Sequence, residues 1–282
     1  MLAPSVRLAT CVAMIAFAGN SLLCRVALRD TAIDAASFTS VRIVSGALVL
    51  WLIVRLRQQP GTAAGSGNWP SALALFVYAA AFSFAYLGLS AGTGALLLFG
   101  AVQATMIGVG LWRGERFSLS QMTGLLLACT GLIGLLLPGL SAPPPLSAAL
   151  MLASGVAWGI YSLRGKVAGD PTRITAGNFL RATLPALLLG ALGMHEGRMD
   201  TAGLVYAIAS GALTSGMGYA IWYVAIRGLR ATTAATVQLS VPVIAALGGT
   251  LFLGEAVTAR LMLASVAILG GIALVIMRKP AA

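Results

Sequence analysis

The sequence predicts an all-α integral membrane protein whose ten transmembrane helices form two inverted five-helix repeats around a central cavity. The first observation is composition. Of the 282 residues, 59% are hydrophobic and 9% are charged, with a mean hydropathy of +0.95. A soluble core needs far fewer apolar residues, and long apolar stretches mark membrane spans. The second observation is an internal repeat, and the third is a set of apolar segments of membrane-spanning length.

The two halves of the chain carry matching residues at a nearly constant separation. Matched positions lie 139 or 140 residues apart: LWRGE (111–115) with LFLGE (251–255), Arg25 with Arg164, and Arg42 with Arg181. This spacing predicts a first repeat over 1–140 and a second over 141–282. With five spans in each half, the second half starts on the opposite side of the membrane and is inverted. Inverted repeats are typical of secondary transporters, which hold their substrate near the membrane midplane.

The apolar segments have the length of about 20 residues that a bilayer core requires. We predict spans at 8–28, 35–54, 69–89, 92–112, 119–138, 146–166, 174–194, 202–226, 232–253 and 259–277. The apolar stretch 69–112 is too long for one span, and SAGTG (90–94) supplies the turn that divides it. The Pro-rich segment PGLSAPPPL (138–146) is the clearest linker and lies at the predicted repeat boundary.

The net charge of +11 indicates membrane orientation rather than affinity for nucleic acid. Twelve of the 18 basic residues fall at alternate helix ends on the side of the N-terminus, and four fall on the opposite side. The remaining two, Arg42 and Arg181, lie inside predicted spans. Cytoplasmic loops carry an excess of Lys and Arg, so both termini are predicted to be cytoplasmic. We expect the bacterial inner membrane as the location, with anionic lipid as the partner of the basic residues.

The sequence lacks the common motifs of enzymatic, metal and cofactor sites. Its three cysteines lie in apolar helices without the spacing of metal ligands. Because HExxH, GxSxG and P-loop motifs do not occur, we expect no catalytic residue, no metal and no cofactor. All seven acidic residues fall at predicted helix ends or in loops, so the usual intramembrane carboxylate relay for protons or sodium is missing.

Two segments carry a resemblance to a known family. Residues 94–138, which include LWRGERFSLSQMTG, and residues 231–276, which include LSVPVIAALGGTLFLGEAV, resemble the ends of the two units of EamA-type transporters. These belong to the drug/metabolite transporter superfamily, within which the chain looks most like the YddG-type aromatic amino acid exporters. The resemblance implies a ten-helix basket whose cavity is lined by helices one to four and six to nine, with helices five and ten at the periphery.

Aromatic residues recur on single faces of three predicted helices. The three sets are Tyr78, Phe82 and Tyr86; Ser154, Trp158, Tyr161 and Ser162; and Ser215, Tyr219, Trp222 and Tyr223. Such stripes serve either as packing and interfacial belts or as the walls of a cavity for a flat, partly apolar solute. Three stripes together favour the cavity, and the candidate substrate contacts are Tyr78, Phe82, Trp158, Tyr161, Tyr219 and Trp222.

Polar residues deep in apolar helices complete the set of candidate substrate-binding residues. The uncharged members are Asn20, Gln103, Asn178 and Gln238. Polar groups in hydrocarbon are costly unless paired, so these residues are expected to join helices or to contact substrate. Arg42 and Arg181 have two open interpretations: each extends to a lipid headgroup, or each binds a substrate carboxylate.

The leading hypothesis is a secondary exporter of small organic solutes, foremost aromatic and apolar amino acids, that works by alternating access at a central cavity. One alternative is a superfamily member that carries phosphorylated solutes, nucleotide sugars or drugs, although only two intramembrane arginines are available for phosphate. A further alternative is a non-transporting membrane binding protein or an intramembrane enzyme. The expected partners are the small-molecule substrate and membrane lipid, without nucleic acid. Small-residue faces on helices five and ten suit either a monomer or a homodimer.

Overall fold

The computed structural model describes a bundle of ten principal helices. The described residues are 4–57, 67–112, 114, 118–139, 142–165, 170–193, 199–227, 229 and 237–277. Within these ranges the regular structure is helical throughout, without a β-strand. The helices are α1 (Pro4–Asp30), α2 (Ala35–Leu56), α3 (Trp69–Tyr86), α4 (Ala91–Trp112), α5 (Leu119–Leu136), α6 (Pro145–Arg164), α7 (Pro171–Gly193), α8 (201–227), α9 (Ser240–Leu253) and α10 (Ala259–Met277).

The predicted all-helical membrane fold is confirmed. Among the described residues, eight helices are long and apolar enough to cross a membrane, and α3 and α9 are shorter apolar helices. A break inside 69–112 is present, but it lies at 87–90 and not at SAGTG (90–94), because α3 ends at Tyr86 and α4 begins at Ala91, so residues 91–94 are already helical. The largest difference concerns the ninth helix, which was predicted over 232–253 and begins at Ser240 as a continuous helix. Part of that prediction, 232–236, lies outside the described residues.

Equivalent helices of the two halves pack on equivalent partners. Helix α1 of the first half packs on α8 and α9 of the second half, and its counterpart α6 packs on α3 and α4 of the first half. The pairs α2 with α7, α4 with α9 and α5 with α10 each join equivalent helices of the two halves. This exchange of partners is what the predicted inverted repeats require, and it places the core of the molecule between the halves.

The small-residue faces of α5 and α10 pack against each other within the chain. A Cβ atom added to Gly124 would lie 2.6 Å from the carbonyl oxygen of Gly271, and one added to Gly131 would lie 2.7 Å from the Cβ of Ala267. Such close backbone approach is the usual use of small residues between membrane helices. Both helices otherwise contact α4, so they lie at the periphery of the bundle, as the resemblance implied.

A π-helical segment in α8 lies against α2 at the centre of the bundle. The segment spans Ser210–Met217 and is flanked by α-helix over Thr201–Ala209 and Gly218–Arg227. Gly211 packs so closely on α2 that an added Cβ would overlap the carbonyl oxygen of Arg42 and the hydroxyl of Ser45. Short π-helical segments are frequent at functional sites because they change which side chains face a neighbour. Here the segment brings α8 hydroxyl groups to the middle of the bundle.

Candidate substrate site

A small chamber lies at the centre of the bundle, between α1, α3, α4, α6 and α8. Its cavity volume is about 20 Å³, which is room for one small polar group. We call it the inner chamber. Its lining consists of Phe17, Asn20, Tyr78, Phe82, Leu98, Phe99, Trp158, Thr214 and Tyr219.

A larger cavity, here called the vestibule, adjoins the inner chamber across Trp158 and Tyr219, which line both. Its volume is about 280 Å³. The lining consists of Val102, Met106, Trp158, Tyr161, Ser162, Gly165, Pro171, Tyr219, Trp222 and Gln238. Because Gly165 and Pro171 lie at the end of α6 and the start of α7, the vestibule leads toward that face of the protein.

The aromatic residues predicted from three separate helices come together between the two cavities. The ring of Trp158 lies 4.7 Å from that of Tyr78 and 5.0 Å from that of Tyr219, centroid to centroid. Tyr161 lies 5.4 Å from Trp158 on the vestibule side. These offset and tilted geometries are the favourable ones for aromatic pairs. A flat apolar group in the vestibule would therefore meet a wall of ring faces and edges.

Phe17 joins this aromatic wall, although sequence analysis did not select it. Its ring makes edge contacts at 5.9 Å with both Tyr219 and Trp222. Phe82 lies deeper, with its ring 5.6 Å from that of Tyr78. Trp222 is 8% exposed and lines the vestibule together with Tyr219 of the same predicted stripe. The side chain of Tyr223, the remaining aromatic residue of that stripe, lies outside the described part.

A network of hydrogen bonds forms the polar end of the inner chamber. The Asn20 amide nitrogen donates to the Tyr78 hydroxyl oxygen at 3.3 Å. The Asn20 amide oxygen accepts from Ser210 at 2.8 Å and lies 3.3 Å from the hydroxyl of Thr214. Both of these α8 residues lie in the π-helical segment. The network therefore fixes the orientation of the Asn20 side chain, with its nitrogen on the side of Tyr78.

Arg42 lies behind this network and is fully enclosed, with 2% of its surface exposed. Its Nη2 donates to the Tyr78 hydroxyl at 3.0 Å, and its Nε donates to Ser215 at 3.4 Å. The guanidinium carbon lies 4.8 Å from the centre of the Phe82 ring and 5.2 Å from that of Tyr78. Its Nη1 has no hydrogen-bond partner among the described residues. The burial rules out extension of this side chain to a lipid headgroup.

Arg181, the repeat partner of Arg42, occupies a different environment. It is partly exposed, and its Nη1 donates to the carbonyl oxygen of Gly177 in the preceding turn at 3.0 Å. It is absent from the described linings of both cavities. The two arginines share a sequence position in the repeat, yet Arg42 donates to Tyr78 of the inner chamber, whereas Arg181 donates to a backbone carbonyl of its own helix.

The remaining predicted polar residues divide between the cavity and the surrounding structure. Gln238 lines the vestibule, whereas Gln103 is buried in α4 and is absent from both linings. The Asn178 side chain accepts from the backbone nitrogen of Asn68 at 2.9 Å and donates to the Tyr161 hydroxyl at 3.4 Å. Asn178 therefore positions one vestibule residue and ties α7 to the start of α3.

The end of the bundle opposite the vestibule is closed by a cluster of polar contacts around Glu255, here called the closed mouth. Arg25 forms an ion pair with Glu255 at 3.0 Å and donates to the carbonyl oxygen of Tyr86 at 2.9 Å. The second carboxylate oxygen of Glu255 accepts from the backbone nitrogen of Ala91 at 2.7 Å. These contacts join the end of α1, the turn between α3 and α4, and the segment after α9.

The vestibule and the closed mouth lie at opposite ends of α3. At the end of α6, next to the vestibule, Arg164 donates to Ser71 at 3.2 Å near the start of α3. At the other end of α3, Tyr86 contacts Arg25 of the closed mouth. The vestibule and the closed mouth therefore lie toward opposite faces of the bundle. Glu115, the repeat partner of Glu255, lies outside the described residues.

The ten-helix fold is that of a multi-span membrane protein, and comparisons with known proteins relate it to transporters. Residues 145–277 match the EamA-like transporter family. The chain is 60% identical to an uncharacterised protein of Pseudomonas aeruginosa over 270 residues, which cover 95% of this chain and 93% of the relative. It is 30% identical to the threonine/homoserine exporter RhtA of Salmonella typhimurium over 139 residues, 47% of each chain. The family match thus covers the second half of the chain.

The fold has a counterpart among proteins of known structure. One crystal structure superimposes with a TM-score of 0.64 and covers 95% of this chain and 97% of that chain. Sequence identity over the match is 18%, so the likeness concerns the fold alone.

Proposed function

We propose that the protein is a secondary transporter that exports small organic solutes, with aromatic and apolar amino acids as the leading substrates. The single observation that carries this proposal is the aromatic wall of Tyr78, Trp158 and Tyr219 between the vestibule and the inner chamber. Aromatic walls with a few convergent polar groups are typical of sites for flat, partly apolar ligands. The similarity to a threonine/homoserine exporter across 47% of the chain supports export of amino acids.

The described conformation corresponds to the loading state of an alternating-access cycle. The solute enters the vestibule from the cytoplasm, and its side chain stacks on Trp158 and Tyr219. Its polar end reaches Asn20 and Tyr78 in the inner chamber. Opening of the closed mouth around Glu255, with closure of the vestibule, then releases the solute on the other side. The excess of basic residues on the N-terminal side supports a cytoplasmic vestibule.

Flux in this cycle follows the gradient of the solute itself. Proton and sodium coupling in membrane transporters generally uses intramembrane carboxylates. Among the described residues, neither cavity is lined by a carboxylate. Tyrosine and arginine side chains titrate far above neutral pH, so they are poor substitutes.

Proteoliposomes with purified protein test the proposal. Efflux of labelled phenylalanine and labelled threonine is measured with and without an imposed pH gradient, using empty liposomes as the control. We expect protein-dependent efflux, faster for phenylalanine, that an imposed pH gradient does not drive uphill. Protein-dependent efflux of threonine without phenylalanine would contradict the assignment to aromatic substrates. Absence of efflux for both would contradict the assignment to amino acids.

A further inference from the structure

Asn20 and Tyr78 form a polar edge of the inner chamber. The acceptor atoms of these two side chains are already occupied, whereas some of their donor hydrogens are not. A phenol oxygen has two lone pairs. In Tyr78 they accept from Arg42 at 3.0 Å and from Asn20 at 3.3 Å. The Tyr78 hydrogen is therefore directed away from both donors, and Tyr78 lines the chamber, where this hydrogen can meet an acceptor.

Asn20 contributes to the same donor edge. Its oxygen is engaged by Ser210 at 2.8 Å and Thr214 at 3.3 Å. Its nitrogen carries two hydrogens, one of which is directed at Tyr78. The second hydrogen remains for the chamber, which Asn20 also lines. The edge formed by Asn20 and Tyr78 therefore suits an acceptor such as a carboxylate oxygen.

The buried positive charge of Arg42, which lies behind this edge, also favours an anionic group in the chamber. Arginine is always protonated in proteins, and its charge at Arg42 is buried among neutral residues. Two ion pairs occur among the described residues, Arg25 with Glu255 and Arg29 with Asp30, and neither includes Arg42. Since buried charge is costly without a counter-charge, an anion bound next to Tyr78 is favoured.

No carboxylate in the described structure is placed to receive a substrate ammonium group in the chamber. The described acidic residues lie at helix ends, where they accept from backbone nitrogens or pair with arginine: Asp30, Asp34, Asp170, Asp200 and Glu255. The chamber therefore has positive charge and donors for one end of an amino acid, and aromatic faces for the rest of it.

We infer that the inner chamber selects the carboxylate of the solute and does not require its α-amino group, an inference that rests on the proposed transport function. The substrate class then extends to aromatic and apolar monocarboxylates that lack an amine. Tyr78 and Asn20 are the residues that contact the carboxylate. Arg42 is a positioning residue that acts through Tyr78. The carboxylate occupies the small inner chamber, while the apolar part lies in the vestibule against Trp158.

Equilibrium binding to the purified protein tests this inference separately from transport. Labelled phenylacetate has the carboxylate without the amine, and phenethylamine has the amine without the carboxylate. We expect phenylacetate to bind, phenylalanine to displace it, and phenethylamine to compete at least tenfold more weakly than phenylalanine. Equal competition by phenethylamine and phenylalanine would overturn the inference, and so would a lack of phenylacetate binding to a protein that transports phenylalanine.

Two variants test whether Tyr78 and Asn20 provide the selectivity for the carboxylate. Tyr78→Phe keeps the ring and removes the donor, and we expect it to weaken phenylacetate binding at least tenfold. Asn20→Asp places a negative charge on the donor edge, with an expected loss of the same size. Tyr206→Phe, which removes a hydroxyl from a partly buried residue outside both cavity linings, is the matched control and is expected to bind as the wild type does. Unchanged phenylacetate affinity in Tyr78→Phe would overturn the inference.

The flux assay distinguishes failure of this inference from failure of the proposed function. Phenylacetate binding with the expected selectivity, but without efflux of any solute, would leave the site assignment intact and contradict transport. Phenylalanine efflux with unselective binding would leave transport intact and contradict the donor-edge assignment.

Discussion

Arg42 reaches the inner chamber through Tyr78, since its Nη2 donates to the phenol oxygen at 3.0 Å while its own side chain stays 2% exposed. The charge is thus separated from the solute by one hydroxyl group. A direct ion pair would have to be broken for release, whereas a hydroxyl polarised by a charge holds an anion less tightly. This arrangement suits a transporter, which must bind its solute and then let it go.

The first prediction concerns the cost of this buried charge. Replacing an unpaired buried charge with an apolar residue of similar volume removes its desolvation cost, which offsets the loss of the hydrogen bonds to Tyr78 and Ser215. We therefore expect Arg42→Met to keep or raise the melting temperature and to lower transport at least tenfold. Thermal unfolding in detergent and efflux from proteoliposomes measure the two effects.

The control for this substitution lies on the same helix. Arg55→Met removes an arginine that stacks on Trp51 near the end of α2, and we expect near wild-type transport. Wild-type transport in Arg42→Met would show that the buried charge is not needed. A large loss of thermal stability would show that Arg42 is primarily structural.

The second prediction concerns the aromatic wall. Trp158 contacts Tyr78, Tyr161 and Tyr219, so Trp158→Ala opens the boundary between the inner chamber and the vestibule. Aromatic contacts contribute about 0.5–1.5 kcal/mol each beyond area burial. We expect a rise in the apparent KM for phenylalanine of at least tenfold, with Trp158→Phe intermediate. Trp51→Ala, which removes a tryptophan that is 51% exposed, is the control. Equal KM values in Trp158→Ala and wild type would assign Trp158 to packing.

The helices and much of the aromatic wall could be predicted because apolar length and i, i+4 spacing are local properties. The break between Tyr86 and Ala91, the stripe of Tyr78 and Phe82, and the placement of Trp158 follow from such patterns. Phe17 could not be selected in this way, because it is a single aromatic residue in α1 whose partners come from α8.

The polar end of the site was harder to predict because it depends on helix geometry that the sequence does not display. Thr214 and Ser215 are adjacent in sequence, yet one lies next to Asn20 and the other accepts from Arg42. The π-helical segment brings both toward the chamber. Likewise, the repeat gives Arg42 and Arg181 equivalent positions, and their different burial arises from packing that the repeat does not specify. The predicted repeat boundary at 140 stays a prediction.

The third prediction concerns the contact between α8 and α2. An added Cβ at Gly211 would overlap the Arg42 backbone, so Gly211→Ala must separate the two helices. We expect a lower melting temperature and reduced transport. Gly108→Ala is the matched control, because an added Cβ meets nothing within 4 Å there and alanine favours a helix by up to about 1 kcal/mol. The expected result for the control is an unchanged or higher melting temperature. Equal effects of the two substitutions would contradict the close contact at Gly211.

The fourth prediction concerns topology. The ten-span arrangement with cytoplasmic termini puts the start of α5 in the cytoplasm and the segment before α10 outside. Leu119 and Val257 are both exposed, at 82% and 41%, and mark these two places. In a variant without native cysteines, we expect Leu119→Cys to react with an impermeant thiol reagent from the cytoplasmic side and Val257→Cys from the outside. Labelling of both from one side of the membrane would contradict the inverted arrangement.

The fifth prediction concerns the closed mouth, and a native cysteine reports on it. Cys24 is fully buried and precedes Arg25, whose ion pair with Glu255 holds this end of the bundle shut. Glu255→Gln removes the ion pair and weakens the contact to Ala91. We therefore expect the mouth to open more often and Cys24 to react several-fold faster with an impermeant thiol reagent added from outside. The measurement uses a background with Cys11 and Cys129 replaced by serine.

The matched control for the closed mouth is Asp30→Asn, which breaks the neighbouring ion pair with Arg29. That pair is more exposed, at 32% and 42% for its two side chains, against 17% and 11% for Arg25 and Glu255. Exposed pairs contribute about 0–1 kcal/mol because water and salt screen them. The Asp30→Asn variant should therefore keep the wild-type rate of Cys24 labelling. If both variants raise the rate equally, general loosening of the helix ends explains the effect. If neither raises it, the Arg25–Glu255 pair does not hold the mouth closed.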